Sequence, residues 1–180
     1  MSFQNALSAT MKREGGFSDH PDDRGGATRF GITEAVARRF GYVGSMADYP
    51  QTEANRVYKL QYWDTLHLDE VDAISEDIAQ ELFDTGVNMG IGRAGTFLQR
   101  SLNVLNREQQ DYPDLTADGI VGPATIYALR SFIERRKAQG ELVLMRALDG
   151  LQRAAYIEIA EKNKTQEAFV FGWLLQRTGP

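Results

Sequence analysis

Residues 14–33 read Glu14-Gly-Gly-Phe-Ser-Asp-His-Pro-Asp-Asp-Arg-Gly-Gly-Ala-Thr-Arg-Phe-Gly-Ile-Thr33. Five glycines and one proline fall in this stretch, which makes it unsuited to a helix and suited to sharp reversals. Upstream, Phe3, Ala6, Leu7, Thr10 and Met11 recur at helical spacing, so a first helix is expected to end near Arg13 with Glu14 at its C-terminus. Downstream, Phe17 and Phe30-Gly31-Ile32 are expected to form short strands of a small hairpin or irregular sheet. Thr33 has the position of an N-cap, with Glu34 in the first turn and Val36, Ala37 and Phe40 on one face.

The rest of the chain reads as helices. Thr52 or a neighbour opens one carrying Val57, Tyr58, Leu60, Tyr62 and Trp63. Ser75 precedes another with the stripe Ile78, Leu82, Phe83 and Val87, and Gly90 and Gly92 allow a tight exit. Phe97, Leu98, Leu102, Val104 and Leu105 mark the next. Residues 107–122 are polar and turn-rich, with Pro113 and Asp118-Gly119. Pro123 suits the first turn of a helix through Ile133. Leu142–Ile159 is a long helix with Gly150 as its weak point, and Phe169–Leu175 closes the chain. The pattern is mainly α, a helical bundle with a small β-hairpin element.

Composition narrows the chemistry. In 180 residues there is no cysteine and there are two histidines, His20 and His67. A disulfide framework, a thiolate metal site and a cysteine nucleophile are excluded, and a Ser-His-Asp or multi-histidine site has little to work with. No cofactor is expected. The first residues lack a secretory pattern and no run approaches a membrane span, so synthesis in the cytoplasm is expected. Residues 1–90 carry 8 Lys and Arg against 15 Asp and Glu, and residues 91–180 carry 12 against 10. An acidic first half without a clustered basic face argues against nucleic acid.

Within the opening stretch, Glu14 is followed by Asp23 nine residues later and by the Thr28 hydroxyl five after that. A chain folded back by its glycines can bring all three to one cleft. Two carboxylates and a hydroxyl that steers water are the parts of an inverting glycoside hydrolase.

The motif Glu14-Gly15-Gly16-Phe17, then Pro21-x-Asp23-x-Gly25-Gly26-x-Thr28-x-Phe30-Gly31-Ile32-Thr33, closely resembles the signature of glycoside hydrolase family 108. Tyr58-x3-Tyr62-Trp63-Asp64 and Phe83-Asp84-x2-Val87-Asn88-x-Gly90 are similar to further family positions. Leu98-Gln99 and Asp118-Gly119-x2-Gly122-Pro123-x-Thr125 resemble the predicted peptidoglycan-binding region that accompanies it. Two positions depart from the pattern: Asp19-His20-Pro21 stands where Asn-Asp-Pro is common, and Met89 where many members have histidine. The resemblance implies a lysozyme-like α+β fold with the hairpin beside the active-site cleft. It also implies a catalytic part over residues 1–90 and a helical peptidoglycan-binding part over 91–180, packed as one unit.

Each candidate has a plain alternative. Glu14 is either a solvated helix-end residue or the catalytic acid, its neutral form favoured by the negative end of the helix dipole. Asp23 is a turn cap or the general base, with Asp22 the runner-up one residue away. Thr28 is a strand residue or the group that orients water. Tyr58, Tyr62 and Trp63 are core residues or a sugar-stacking surface. Asn88 is a C-cap or a contact to an N-acetyl group.

The reading is an endo-acting N-acetylmuramidase that cuts the β-1,4 bond between N-acetylmuramic acid and N-acetylglucosamine, with inversion. Its partner is bacterial peptidoglycan. The settings are a phage endolysin, reaching the periplasmic wall from the host cytoplasm through a holin or similar factor, or a bacterial secretion activator. A monomer is expected. The rivals are a non-catalytic peptidoglycan-binding module and a lytic transglycosylase, which needs the acid but no second carboxylate.

Overall fold

Helix α1 (Phe3–Glu14) buries Phe3, Ala6, Leu7 and Thr10, the spacing of one helical face. It ends at Glu14, one residue beyond the expected boundary. The computed structural model describes residues 3–14 and 27–176. Phe17, Asp22 and Asp23, and the side chain of Glu14, lie outside the described part.

Strand β1 (Thr28–Arg29) pairs antiparallel with β2 (Ile32–Thr33), placing Thr28 opposite Thr33 and Arg29 opposite Ile32. Phe30 and Gly31 form the turn, with φ of 52° and 74°. Two left-handed residues are what a tight hairpin turn of matching twist requires. The expectation that Phe30-Gly31 belongs to a strand is therefore corrected; only Ile32 does. Thr33 then caps α2 (Glu34–Arg39), its Oγ1 accepting the Val36 N–H at 3.4 Å.

Helix α3 (Gln51–Tyr58) follows Pro50 and runs into a single π-helical turn over residues 59–63. There the Asp64 N–H reaches back five residues to the Lys59 carbonyl at 2.9 Å. Tyr58 and Trp63, five apart, consequently both enter the core, while Leu60 is left 44% exposed. Uniform α-helical spacing had placed Leu60 on the inner stripe.

Helix α4 (Leu68–Asp72) leads to Ser75, which caps α5 (Glu76–Met89) by accepting the Ile78 N–H at 3.2 Å. Residues 78, 79 and 82–86 of α5 are all buried, so this helix is enclosed on nearly every side. The rings of Phe3, Tyr58, Tyr62 and Trp63 meet fully buried Phe83 edge-on, with centroids 5.8–6.5 Å away, an arrangement that the ring quadrupoles favour.

Gly90, at φ 91°, turns the chain into α6 (Ile91–Leu105). Val104 faces away from the core and is 80% exposed, contrary to its place in the predicted stripe. The loop 106–122 docks on α6 through a close glycine contact: a Cβ on Gly95 would lie 2.1 Å from the Gly119 carbonyl oxygen. Buried Gln99 holds the same turn. Its amide nitrogen donates to Asp118 Oδ1 (2.9 Å) and the Ile120 carbonyl (3.0 Å), and its oxygen accepts the Gly119 N–H (2.8 Å). The Ile120 N–H and the Gln99 amide hold the Asp118 carboxyl below its usual range.

Helix α7 (Pro123–Lys162) carries proline in its first turn and is broken once, at Lys137 (φ 53°, ψ −144°). The two expected helices are thus adjacent segments separated by one residue, and Gly150 does not interrupt the second. Helix α8 (Glu167–Gln176) lays Trp173 on Tyr156, rings stacked at 5.1 Å. Among the described residues the fold is eight helices and one two-stranded sheet, mainly α and lysozyme-like in outline. Hydrogen bonds tie its halves together, among them Ser75 Oγ to Glu141, and Gln152 Nε2 to Thr85 Oγ1 at 2.9 Å.

Candidate functional site

The glycine-rich stretch is framed by regular structure at both ends. Glu14 is the last residue of α1, and Thr28 is the first of β1. Thr28 is partly buried, and its neighbours fix its position. Ala27 carbonyl oxygen accepts the Glu34 N–H at 2.9 Å, which closes the open end of the hairpin against the start of α2. At the other end, Tyr58 Oη donates to the Phe30 carbonyl at 3.1 Å.

That bond assigns Tyr58. Its ring is 1% exposed, within 5.7 Å of Tyr62 and 6.3 Å of Phe83, and its hydroxyl is directed at the hairpin turn. No ring face is open to a sugar, so the stacking role expected for Tyr58 is corrected to one of anchoring. Trp63 is corrected in the same way. It is also 1% exposed, packed edge-on to Phe3 and Phe83, and its Nε1–H donates to Asp69 Oδ1 at 2.7 Å. The indole N–H, helped by Lys59, holds the Asp69 carboxyl below its ordinary range. Burial pulls the Lys59 ammonium down, but the Asp64 and Asp69 carboxylates more than offset this and hold it above its usual value. Tyr62 alone of the three keeps partial exposure.

Asn88 occupies the last turn of α5. Its Nδ2 donates to Asp84 Oδ2 at 2.9 Å, one turn earlier on the same face. Asp84 is buried and fixes the amide's rotation, leaving Asn88 Oδ1 as an acceptor of known direction. Asn88 lines a groove of about 390 Å³ with Met89, Tyr156, Gln166 and Trp173. Sequence reasoning missed Asp84 as an orienting group, although an Asp-x3-Asn pair on a helix is a readable signal. It also missed Gln166 and Trp173, because nothing local shows that α8 folds back onto the end of α5.

Chemically, the arrangement offers a carboxylic acid at a helix end, a hydroxyl on an anchored hairpin, and an oriented amide beside an aromatic-lined groove. Among the described residues no group of three His, Asp or Glu side chains is placed to hold a metal ion. No described helix is long and apolar enough to cross a membrane.

Residues 7–90 match glycosyl hydrolase 108, and residues 93–178 match a predicted peptidoglycan domain. No curated protein sequence matches the chain. Among solved structures the chain is similar to that of Brucella abortus SagA, with a TM-score of 0.70 and 25% identity, over 97% of this chain and 88% of that one.

Proposed function

Because the chain belongs to glycosyl hydrolase family 108 and carries a peptidoglycan domain, we propose that this peptidoglycan hydrolase is an endo-acting N-acetylmuramidase. It cuts the β-1,4 bond between N-acetylmuramic acid and N-acetylglucosamine. The observation that carries the reading is the framing of residues 15–27 between Glu14, the end of α1, and Thr28, the start of an anchored strand.

In this reading Glu14 gives its proton to the leaving glycosidic oxygen. The negative end of α1 disfavours a carboxylate there and so keeps the proton available. Asp23 draws a proton from the attacking water, and the Thr28 hydroxyl holds that water on the opposite face of the sugar. Two separated carboxyl groups with a water between them give inversion. Asn88, oriented by Asp84, accepts a hydrogen bond from a substrate N-acetyl amide, and partly exposed Tyr62 offers a ring to the glycan. Residues 1–90 supply the chemistry and residues 91–180 hold the polymer.

The biological setting we favour is host-cell lysis by a phage endolysin. The protein acts as a monomer and reaches the wall once a holin or equivalent factor has opened the membrane. Mass spectrometry of digested purified peptidoglycan tests the chemistry. Reducing N-acetylmuramic acid ends are expected. Ends with a 1,6-anhydro ring would make the protein a lytic transglycosylase, and uncut strands would make it a binding module.

A further inference from the structure

Between α6 and the second segment of α7 runs a groove of about 370 Å³ that the proposed chemistry does not use. Arg93, Thr96 and Arg100 line one wall, at the i, i+3, i+7 spacing of a single helical face. Phe97 and Leu151 contribute apolar floor, and Glu158 stands on the opposite wall. Seven residues of helix separate the two arginine Cα atoms by about 10 Å along the axis.

The two guanidiniums share one groove wall and, like those of Arg39, Arg130 and Arg146, lack a paired carboxylate among the described residues. Elsewhere Arg107 and Arg135 pair with Asp111, and Arg153 with Asp149. Arg93 and Arg100 are exposed, and among the described residues neither has an ion-pair or hydrogen-bond partner. Glu158 is engaged only by exposed Lys162, at 3.7 Å. The groove therefore presents two uncompensated planar cations, an apolar floor and, opposite them, one loosely held carboxylate. Its complement is a short extended ligand with two carboxylates about two helical turns apart and an amine between or beyond them. A guanidinium binds a carboxylate through two parallel hydrogen bonds, which fixes orientation as well as charge. A polyanion such as nucleic acid matches this poorly, since Glu158 would repel it and the chain carries a net charge of −5.

We propose that this groove binds the peptide stem of peptidoglycan, its carboxylates on Arg93 and Arg100 and the side-chain amine of its diamino acid on Glu158. The proposal rests on the reading that the wall polymer is the substrate. It assigns peptide recognition to the second half of the chain, separate from the sugar chemistry of the first. Strand cleavage would then depend on whether the glycan still carries its peptides.

Titration of the full chain with a synthetic L-Ala-γ-D-Glu-meso-diaminopimelate tripeptide, followed by NMR, tests this directly. Shifts confined to amides of residues 92–100 and 151–158 are expected. The Arg93→Gln/Arg100→Gln double variant should weaken binding at least tenfold with an unchanged melting temperature. Acetylating the diaminopimelate amine should weaken binding to the parent protein but not to Glu158→Gln, a comparison that still decides the matter should the double variant be unstable. On substrates, the double variant should slow digestion of intact sacculi while leaving amidase-stripped glycan strands cut at the parent rate. Equal peptide affinity in parent and double variant, absence of binding at millimolar peptide, or equal binding of tripolyphosphate would each overturn the proposal. Failure of the muramidase reading is separately visible, as stripped strands left uncut by the parent, because the peptide titration involves no bond cleavage.

Discussion

Replacing Tyr58 by phenylalanine tests a hydrogen bond that the hairpin depends on. The ring and its packing against Tyr62 and Phe83 are retained, and the 3.1 Å bond from Oη to the Phe30 carbonyl is lost. A buried hydrogen bond contributes about 1 kcal/mol net, and leaving its partner unsatisfied raises the cost toward about 2 kcal/mol. Phe30 adds to this, because a non-glycine residue at φ 52° costs about 1–2 kcal/mol by itself and relies on its surroundings to stay there. For a chain of this size a loss of about 1.5 kcal/mol lowers the melting temperature by about 3–6 °C. The larger effect is on rate. Thr28 opens β1 two residues before Phe30 in the turn, and in the proposed mechanism a displacement of about 1 Å in this water-positioning group can cost up to about 100-fold. Thermal melting by circular dichroism and turbidity clearance of permeabilised Gram-negative cells at 25 °C measure the two separately. A variant that melts within 1 °C of the parent and clears cells at the parent rate would show that the turn is held by something other than Tyr58.

Glu14→Gln should reduce lysis by about 100-fold or more, the contribution of a general acid, while the melting curve is unchanged; more than a tenth of parental activity would remove Glu14 from the acid's role. NMR of freshly released sugar ends should show the α anomer first, and Asp23→Asn and Thr28→Ala should each slow cleavage without weakening binding to sacculi; a β anomer appearing first would replace direct water attack by a covalent route. Gly95→Ala forces a methyl group to within 2.1 Å of a backbone oxygen and disturbs the Gln99 bonds to the 118–120 turn, so a loss of about 2–4 kcal/mol is expected in urea titration. Protonation of Asp118, whose carboxyl is held below the ordinary aspartate range by the Ile120 N–H and the Gln99 amide, removes its contribution as pH falls through that lowered value; stability from this turn is fully present above about pH 4. The Asp118→Asn variant should therefore show a weaker loss of melting temperature between pH 4 and 2.5 than the parent does.

Two helix starts were legible from the side chain that caps them. Thr33 and Ser75 each accept the N–H three residues on, and that chemistry is local. The inward stripe of α5 was legible too. What escaped were features set by tertiary context. The π-helical turn after Tyr58 moved Leu60 outward and drew both Tyr58 and Trp63 into the core, and no residue type announces such a turn. Lys137 breaks α7 where glycine at 150 does not, since a break follows from how the flanking segments pack and not from backbone freedom alone. Of the candidate site, the sequence placed Glu14 at a helix end and Thr28 beside a hairpin, and α1 ends at Glu14 and β1 begins at Thr28. It could not distinguish an aromatic that anchors a turn from one that faces a sugar, because both readings demand the same residues at the same spacing.

Helix α5 is walled in by elements from both ends of the chain, and the Ser75–Glu141 and Thr85–Gln152 bonds cross between the two matched regions. Among the described residues no linker separates the two matched regions, which meet at Gly90 between α5 and α6. A cut after residue 90 would strip α6 and α7 from a helix buried on nearly all sides and leave an insoluble fragment in place of a minimal catalyst. Chimeras that alter wall specificity would have to be made by resurfacing α6 and α7 in place, with their inward faces kept as they are.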